Sequence, residues 1–207
     1  MKKSLFTLVG VSLFLLFVLF SYFVHKDLFL QFDFDTTVRI QDKMPRRFDE
    51  IFSYLSLIGS VEIISIPLLI LVILRRKILA FGALVAYVGM HVFELYGKIF
   101  VDHPGPPYMF FRYDIPFQFP SSYVQPGSSY PSGHSARAAF VSVILFLVLN
   151  NSKSVKPIHK YIIYSIAICF DIAMFVSRVY LGEHWSSDVI GGALLGSGIG
   201  FISSLLF

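Results

Sequence analysis

Residues 161–192 read YIIYSIAICFDIAMFVSRVYLGEHWSSDVIGG, an apolar run that ends in a polar cluster and is followed by a second apolar run. The first run, Tyr161–Tyr180, and the second, Val189–Phe207, each approach the length of about 20 residues that an α-helix needs to cross a bilayer core. The polar residues between them should therefore lie at one membrane surface. This stretch predicts a helical membrane protein with reactive groups at the end of a span.

The same alternation of apolar runs and polar connections extends over the whole chain of 207 residues. Hydrophobic residues make up 56% of it and the mean hydropathy is +0.71, more than a soluble domain of this length can bury. We therefore expect a single all-α domain, residues 1–207, built as a polytopic bundle of about six membrane helices. The predicted spans are Leu5–Val24, Ile51–Leu74, Ile78–Phe100, His134–Leu149, Tyr161–Tyr180 and Val189–Phe207.

Basic residues predict the orientation of this bundle. Three small basic clusters fall on alternate connections, and such connections tend to face the cytoplasm, whereas the basic residues of the connection 25–50 are mixed with acidic ones. Both termini are therefore expected in the cytoplasm, with the connections at about 25–50, 101–133 and 181–188 outside. Because topology accounts for the net charge of +4, we predict no nucleic-acid partner. The basic clusters are Lys2 and Lys3; Arg75, Arg76 and Lys77; and Lys153, Lys156 and Lys160.

The connection 101–133 is the longest, and its proline, glycine, serine and aromatic residues exclude a regular helix over most of it. Loops of this length within a compact domain are usually functional. The alternative is an ordinary interfacial loop, because aromatic side chains also favour the headgroup region.

Two polar clusters lie at predicted helix ends that border this connection. His91, Glu94 and Lys98 follow the spacing of one helix face, where Lys98 either faces a site or extends to the surface and pairs with Glu94. Ser132 is a candidate N-cap, and Gly133 allows an anion to approach the first amides of the following helix closely. The second cluster has the outline of a phosphate-binding helix start.

The remaining candidates suit acid–base and nucleophilic chemistry. His134 can donate a proton to a leaving oxygen, since an imidazole titrates near neutral pH. His184 and Asp188 are one helical turn apart if the last helix begins at about Glu183, so the carboxylate can hold one ring nitrogen and leave the other as a nucleophile. Arg178 supplies a planar guanidinium for phosphate oxygens. Together these groups suffice for phosphoryl transfer through a phosphohistidine.

No metal and no other cofactor is expected. The remaining histidines, His25, His91, His103 and His159, do not cluster with carboxylates at metal-ligand spacing. The single cysteine, Cys169, lies within an apolar run and can support neither a disulfide nor a zinc cluster.

The motif residues together resemble those of a known family. The spacing Ser177-Arg178-x5-His184-x3-Asp188, with Pro131-Ser132-Gly133-His134 and an upstream Lys98, is similar to that of the type 2 phosphatidic acid phosphatase superfamily. This superfamily includes bacterial lipid phosphatases and the vanadium haloperoxidases. The motifs occupy about residues 98–188, and the six-span layout extends the resemblance over nearly the whole chain.

The resemblance implies a role for each motif residue. His184 would attack phosphorus, Asp188 would orient His184, and His134 would protonate the leaving group. The remaining motif residues would hold the phosphate oxygens: Lys98, Ser132, Gly133 and Arg178.

The first motif departs from the family pattern. Members usually carry a lysine, six further residues and then Arg-Pro, whereas this chain has Gly105-Pro106 at the last two positions. One phosphate ligand of the family is therefore missing. Candidate substitutes are Arg137, His103 and Arg112, of which Arg137 lies about one turn after His134.

We expect the chain to hydrolyse a phosphomonoester or diphosphate on a lipid, at an extracytoplasmic site of the cell or inner membrane. Undecaprenyl diphosphate, phosphatidylglycerophosphate, phosphatidic acid and a lipid A phosphate all fit, because the apolar walls of the spans are generic. The alternatives are a lipid phosphotransferase and a non-catalytic phospholipid-binding membrane protein. The sequence leaves the oligomeric state open, since glycines of the last span can pack helices within or between chains.

Overall fold

The computed structural model describes residues 2–75, 78–120 and 128–206, and within them the chain is all-α, as expected. Arg76 and Lys77 of a predicted cytoplasmic cluster, residues 121–127 of the long connection, and Phe207 lie outside the described residues. The helices are α1 Lys2–His25, α2 Leu30–Lys43, α3 Phe48–Ile58, α4 Val61–Ile64, α5 Ile66–Arg75, α6 Ile78–Phe100, α7 Gly133–Asn151, α8 Pro157–Tyr180 and α9 Ser186–Ile202, with short 3-10 turns at Tyr108–Phe110 and Ser203–Leu206.

The described segments include five helices that are long and apolar enough to cross a membrane. A sixth span is formed by the pair Phe48–Ile58 and Val61–Ile70, which is bent by 51° at its break. The prediction of about six spans is confirmed, and the protein is an integral membrane protein. The five unbroken spans are Lys3–His25, Phe81–Phe100, Gly133–Asn151, Pro157–Tyr180 and Ser186–Leu205.

The bent span differs from the single helix predicted over Ile51–Leu74. Ser60 starts a new helix as its N-cap, with extended backbone and an Oγ that accepts a hydrogen bond from the Ile63 amide at 3.4 Å. Gly59 packs so closely on the site that a Cβ there would lie 2.7 Å from Cδ2 of His134. The break therefore places non-helical backbone beside a candidate catalytic residue.

Helix α9 lies at the centre of the bundle, where it packs against α1, α6, α7 and α8. Gly192 and Gly196 approach α7 so closely that a Cβ at either position would overlap backbone atoms there. Gly198 approaches the backbone of α1, where a Cβ would lie 3.0 Å from the Phe14 amide nitrogen. Small residues at helix contacts are a common device in membranes, and here these three glycines pack helices within one chain.

The connection predicted at 25–50 contains helix α2, which the sequence pattern did not indicate. Its apolar Phe32 and Phe34 are exposed, which reverses the usual arrangement of an amphipathic helix. Gln41 donates hydrogen bonds to the carbonyl groups of Phe110, at 2.7 Å, and Tyr180, at 2.8 Å. Polar groups of α2 thus hold the segments around the site. One polar side chain per turn is buried: Asp33, Thr37 and Gln41.

Candidate active site

A cavity of about 720 Å³ lies at one end of the bundle. Its walls come from the break between α3 and α4, the second half of α6, the start of α7, the turn before α9 and the long connection. The volume is within the range of about 300–1,000 Å³ that is usual for small-molecule sites. Residues from all three predicted polar clusters meet in this wall, namely Lys98, Gly133, His134 and His184.

His184 and Asp188 lie together at the start of α9. Nδ1 of His184 is 3.3 Å from Oδ2 of Asp188, and the Asp188 side chain is fully buried. The helix itself begins at Ser186 rather than at about Glu183, because the extended Trp185 is its N-cap. Oδ2 of Asp188 also accepts the Trp185 amide at 2.9 Å. One carboxylate therefore caps the helix and holds the imidazole, which leaves Nε2 as the ring nitrogen that can act on a ligand.

The start of α7 is tied to the start of α9. Ser132 occupies the N-cap position that was predicted, but its side chain does not cap a backbone amide and instead accepts a hydrogen bond from Ser135 Oγ at 3.2 Å. The Ser132 amide donates to the Asp188 carbonyl at 3.0 Å. A Cβ on Gly133 would overlap the Glu94 carboxylate, so any larger residue there would displace the Glu94 side chain. Gly133 and His134 of this first turn line the cavity, and the first amides of a helix have no acceptor within the helix, as an anion site requires.

Arg178 is fully buried beside the cavity. Its Nη1 donates to Ser56 Oγ at 2.7 Å, and its guanidinium also contacts Ser177 Oγ and the Glu183 carboxylate. Ser56 and Glu183 line the cavity, so they stand between Arg178 and a ligand. Glu183 is a site residue that the sequence reading did not assign, although its position directly before His184 was a signal.

Lys98 and its helix face point into the cavity. Lys98 Nζ donates to the Ser129 carbonyl at 3.4 Å, and His91 and Glu94 line the same cavity. Glu94 forms its ion pair with Arg137. The helix face identified from spacing is therefore the wall of a cavity rather than a surface stripe.

The three candidate substitutes for the missing arginine lie in different places. Arg137 lines the cavity, where its Nη1 is 3.6 Å from Glu94 Oε2 and its Nε donates to the Gly59 carbonyl at 3.1 Å. His103 is buried elsewhere, and Arg112 lies over the ring of a tyrosine, with 5.0 Å between its Cζ and the ring centroid. Of the three, the structure brings only Arg137 to the cavity wall.

His103 is buried behind Asp188. Its Nε2 is 3.6 Å from Oδ1 of Asp188, 3.6 Å from Oδ2 of Asp33 and 3.2 Å from Ser187 Oγ. Burial alone would lower the pKa of His103, but its hydrogen bond with Asp33 and the charge of Asp188 outweigh burial and raise the pKa above its ordinary value. Across the described residues, no group of three or more His, Cys, Asp or Glu side chains is arranged to hold a metal ion.

Comparison with known proteins identifies two relatives that are both named as phosphatases. Phosphatidylglycerophosphatase B of Bacillus subtilis (strain 168) is 41% identical over 68 residues, 33% of this chain and 34% of that protein. Undecaprenyl-diphosphatase of Sulfolobus acidocaldarius is 40% identical over 75 residues, 36% of this chain and 32% of that protein. The chain thus matches about a third of the length of either curated relative.

A solved structure shares the fold. The crystal structure of a transmembrane PAP2 type phosphatidylglycerolphosphate phosphatase from Bacillus subtilis superposes with a TM-score of 0.76 at 23% identity, over 94% of this chain and 93% of that one. The model of the PAP2 superfamily matches residues 75–207, which is more than half of the chain and includes every candidate site residue. The chain belongs to the PAP2 superfamily.

Proposed function

We propose that this protein is a lipid phosphatase that hydrolyses a phosphomonoester or diphosphate on a membrane lipid through a phosphohistidine at His184. The observation that carries the proposal is the contact between His184 Nδ1 and buried Asp188, 3.3 Å apart at the wall of a cavity that His134 also lines. The contact leaves His184 Nε2 as the nucleophile.

The reaction follows in two steps. Nε2 of His184 attacks phosphorus, the bond from phosphorus to the leaving oxygen breaks, and His134 gives its proton to that oxygen. Asp188 accepts the Nδ1 proton of His184 as a hydrogen bond throughout and stabilises the positive charge on the ring. His134, now neutral, then takes a proton from water as the water oxygen attacks phosphorus. This second attack breaks the bond to His184 and releases inorganic phosphate.

Fixed positive charge around the cavity would hold the phosphate oxygens. Lys98 lines the cavity, and the first amides of α7 lie at its edge. Arg137 would take the place of the arginine that the family carries where this chain has Gly105. Arg178 would bind a phosphate oxygen once the Glu183 carboxylate moves away from its guanidinium.

The names of the relatives favour two of the four candidate lipids, phosphatidylglycerophosphate and undecaprenyl diphosphate. The basic residues on alternate connections favour a site on the extracytoplasmic side. A lipid would then place its headgroup in the cavity while its chains stay between the spans.

Purified protein in lipid nanodiscs tests this function directly. We expect phosphate release from at least one of the four candidate lipids, loss of release in His184→Ala, and wild-type release in His159→Ala, a matched change at an exposed histidine outside the site. A 32P-labelled substrate should label wild-type protein through an acid-labile bond that is absent from His184→Ala. Near-normal turnover in His184→Ala would contradict the mechanism.

Two further outcomes identify the alternatives. Transfer of phosphate to an added lipid or alcohol acceptor, faster than release into water, would favour a phosphotransferase. Binding of all four lipids without any phosphate release by the wild-type protein would favour a non-catalytic phospholipid-binding protein.

A further inference from the structure

The two carboxylate oxygens of Asp188 have different surroundings. Oδ2 contacts His184 Nδ1 and accepts the Trp185 amide. Oδ1 is buried and has no hydrogen-bond partner among the described residues, and it faces His103 Nε2 at 3.6 Å. A buried carboxylate oxygen that lacks a hydrogen bond is costly unless a nearby cation compensates its charge. His103 is placed to be that cation.

Asp33 binds the same helix start from α2. Its Oδ1 accepts the Ser187 amide at 2.7 Å, and its Oδ2 accepts Ser187 Oγ at 2.6 Å. Its Oδ2 also lies 3.6 Å from His103 Nε2. Asp33 therefore holds the residue next to Asp188 and faces the same imidazole nitrogen as Asp188 does.

Helices α2 and α9 each place a carboxylate against His103. Asp33 faces it from α2 and Asp188 from α9, while Asp27, just before α2, adds a weaker negative field. Ser187 Oγ lies 3.2 Å from Nε2, and Nδ1 is buried with no hydrogen-bond partner among the described residues. The ring of Tyr130 lies edge-on, with 6.5 Å between the ring centroids. The structure thus places two buried carboxylates 3.6 Å from one imidazole nitrogen, where a cation would balance their negative charge.

We propose that Asp33 and His103 are positioning residues of the reaction, in which a His103 imidazolium between Asp33 and Asp188 balances their negative charge and keeps Asp188 aimed at His184. This rests on the proposed role of His184 as nucleophile. Neither Asp33 nor His103 lines the cavity, so both act through Asp188 rather than on the lipid. The Asp33 carboxylate and the His103 imidazolium carry opposite charges. Removing one of them or both should therefore have different effects, which a purely structural contact would not show.

The first test changes the charges around Asp188 and measures kcat as a function of pH. His103→Asn should lower kcat by about 10- to 100-fold, as loss of an outer partner typically does at other sites, with little change in KM. It should also move the acid limb of the kcat profile to higher pH by about one unit, because the two carboxylates then face each other uncompensated. The double variant His103→Asn with Asp33→Asn removes one charge of each sign, so its acid limb should return close to the wild-type position.

A matched control separates charge from structure. Gln41 also ties α2 to the site region, through the carbonyl groups of Phe110 and Tyr180, but carries no charge. Gln41→Ala should leave the shape of the pH profile unchanged. If the double variant is no better than His103→Asn, or if Gln41→Ala shifts the profile equally, the proposal is wrong.

Thermal unfolding tests the charged state without relying on activity. Because the folded pKa of His103 is raised, its charged form adds stability that is fully present below the unfolded pKa of about 6.5 and is lost as pH rises through the folded pKa. The Tm of wild-type protein should fall over that range more than the Tm of His103→Asn. Equal pH dependence of the two would overturn the proposal. An inactive wild-type protein or an active His184→Ala would overturn the proposed function and the positioning role that rests on it, while the Tm comparison would still report the charge of His103.

Discussion

Replacing Arg137 tests the most unusual feature of this site, the glycine at position 105 where the family carries arginine. Arg137 follows His134 by about one turn and is fixed by Gly59, whose carbonyl oxygen accepts its Nε–H at 3.1 Å, and by Glu94, 3.6 Å away. Removing one donor that stabilises the charge of a transition state costs about 10²- to 10³-fold in kcat. We expect Arg137→Ala to lose kcat in that range at saturating lipid.

The same change also affects stability, because it leaves Glu94 as a carboxylate without its partner. Breaking a buried pair on one side costs about 3–5 kcal/mol, and we expect about 3 kcal/mol here because both side chains reach a cavity, with exposures of 7% and 12%. Adding Glu94→Gln to Arg137→Ala removes the stranded charge. The double variant should recover most of the lost thermal stability in detergent and none of the lost kcat.

An arginine at position 105 should restore part of the kcat that Arg137→Ala loses. Gly105 lines the cavity, and a Cβ there would lie 3.4 Å from Ser129 Cβ, an ordinary contact, so the cavity wall tolerates a side chain that begins at this position. Gly105→Arg should raise the kcat of Arg137→Ala by about tenfold or more, whereas Gly105→Met, similar in length but uncharged, should not. Phosphate release in nanodiscs measures both. The reasoning is refuted if folded Arg137→Ala keeps kcat within about threefold of wild type, or if the arginine and methionine variants behave alike.

Three further changes have defined outcomes. Glu183→Gln removes the carboxylate that contacts Arg178, so inorganic phosphate should inhibit this variant at lower concentration than wild type; unchanged product inhibition would contradict that role. Gly182→Ala should lower the free energy of unfolding by at least about 1–2 kcal/mol, measured by thermal unfolding, because the φ of Gly182 is +67° and a Cβ would overlap a backbone carbonyl. In a background without the native cysteine, Tyr108→Cys should react with an impermeant thiol reagent outside whole cells and Ser154→Cys should not; the opposite labelling would reverse the orientation.

The spans were predictable because the length of an apolar run is a local property of the sequence, and that length decides whether a helix can cross the bilayer core. Two features of the same region were not. Helix α2 buries a polar stripe and exposes apolar rings, so its pattern is inverted and does not look like a helix that packs on a protein core. The break at Gly59 and Ser60 lies within an apolar run, where composition does not show that the chain bends.

The sequence alone predicted which residues form the candidate site, because the side chains of His184 and Asp188, four positions apart, are close enough in the chain to meet at a helix start. His184 and Asp188 do meet, even though the helix starts later than expected. Only the tertiary structure decided which of three candidate side chains reaches the cavity and which groups lie behind the carboxylate. Arg137 at the wall and His103 behind Asp188 depend on contacts between helices that are distant in sequence, and local spacing carries no information about such distances.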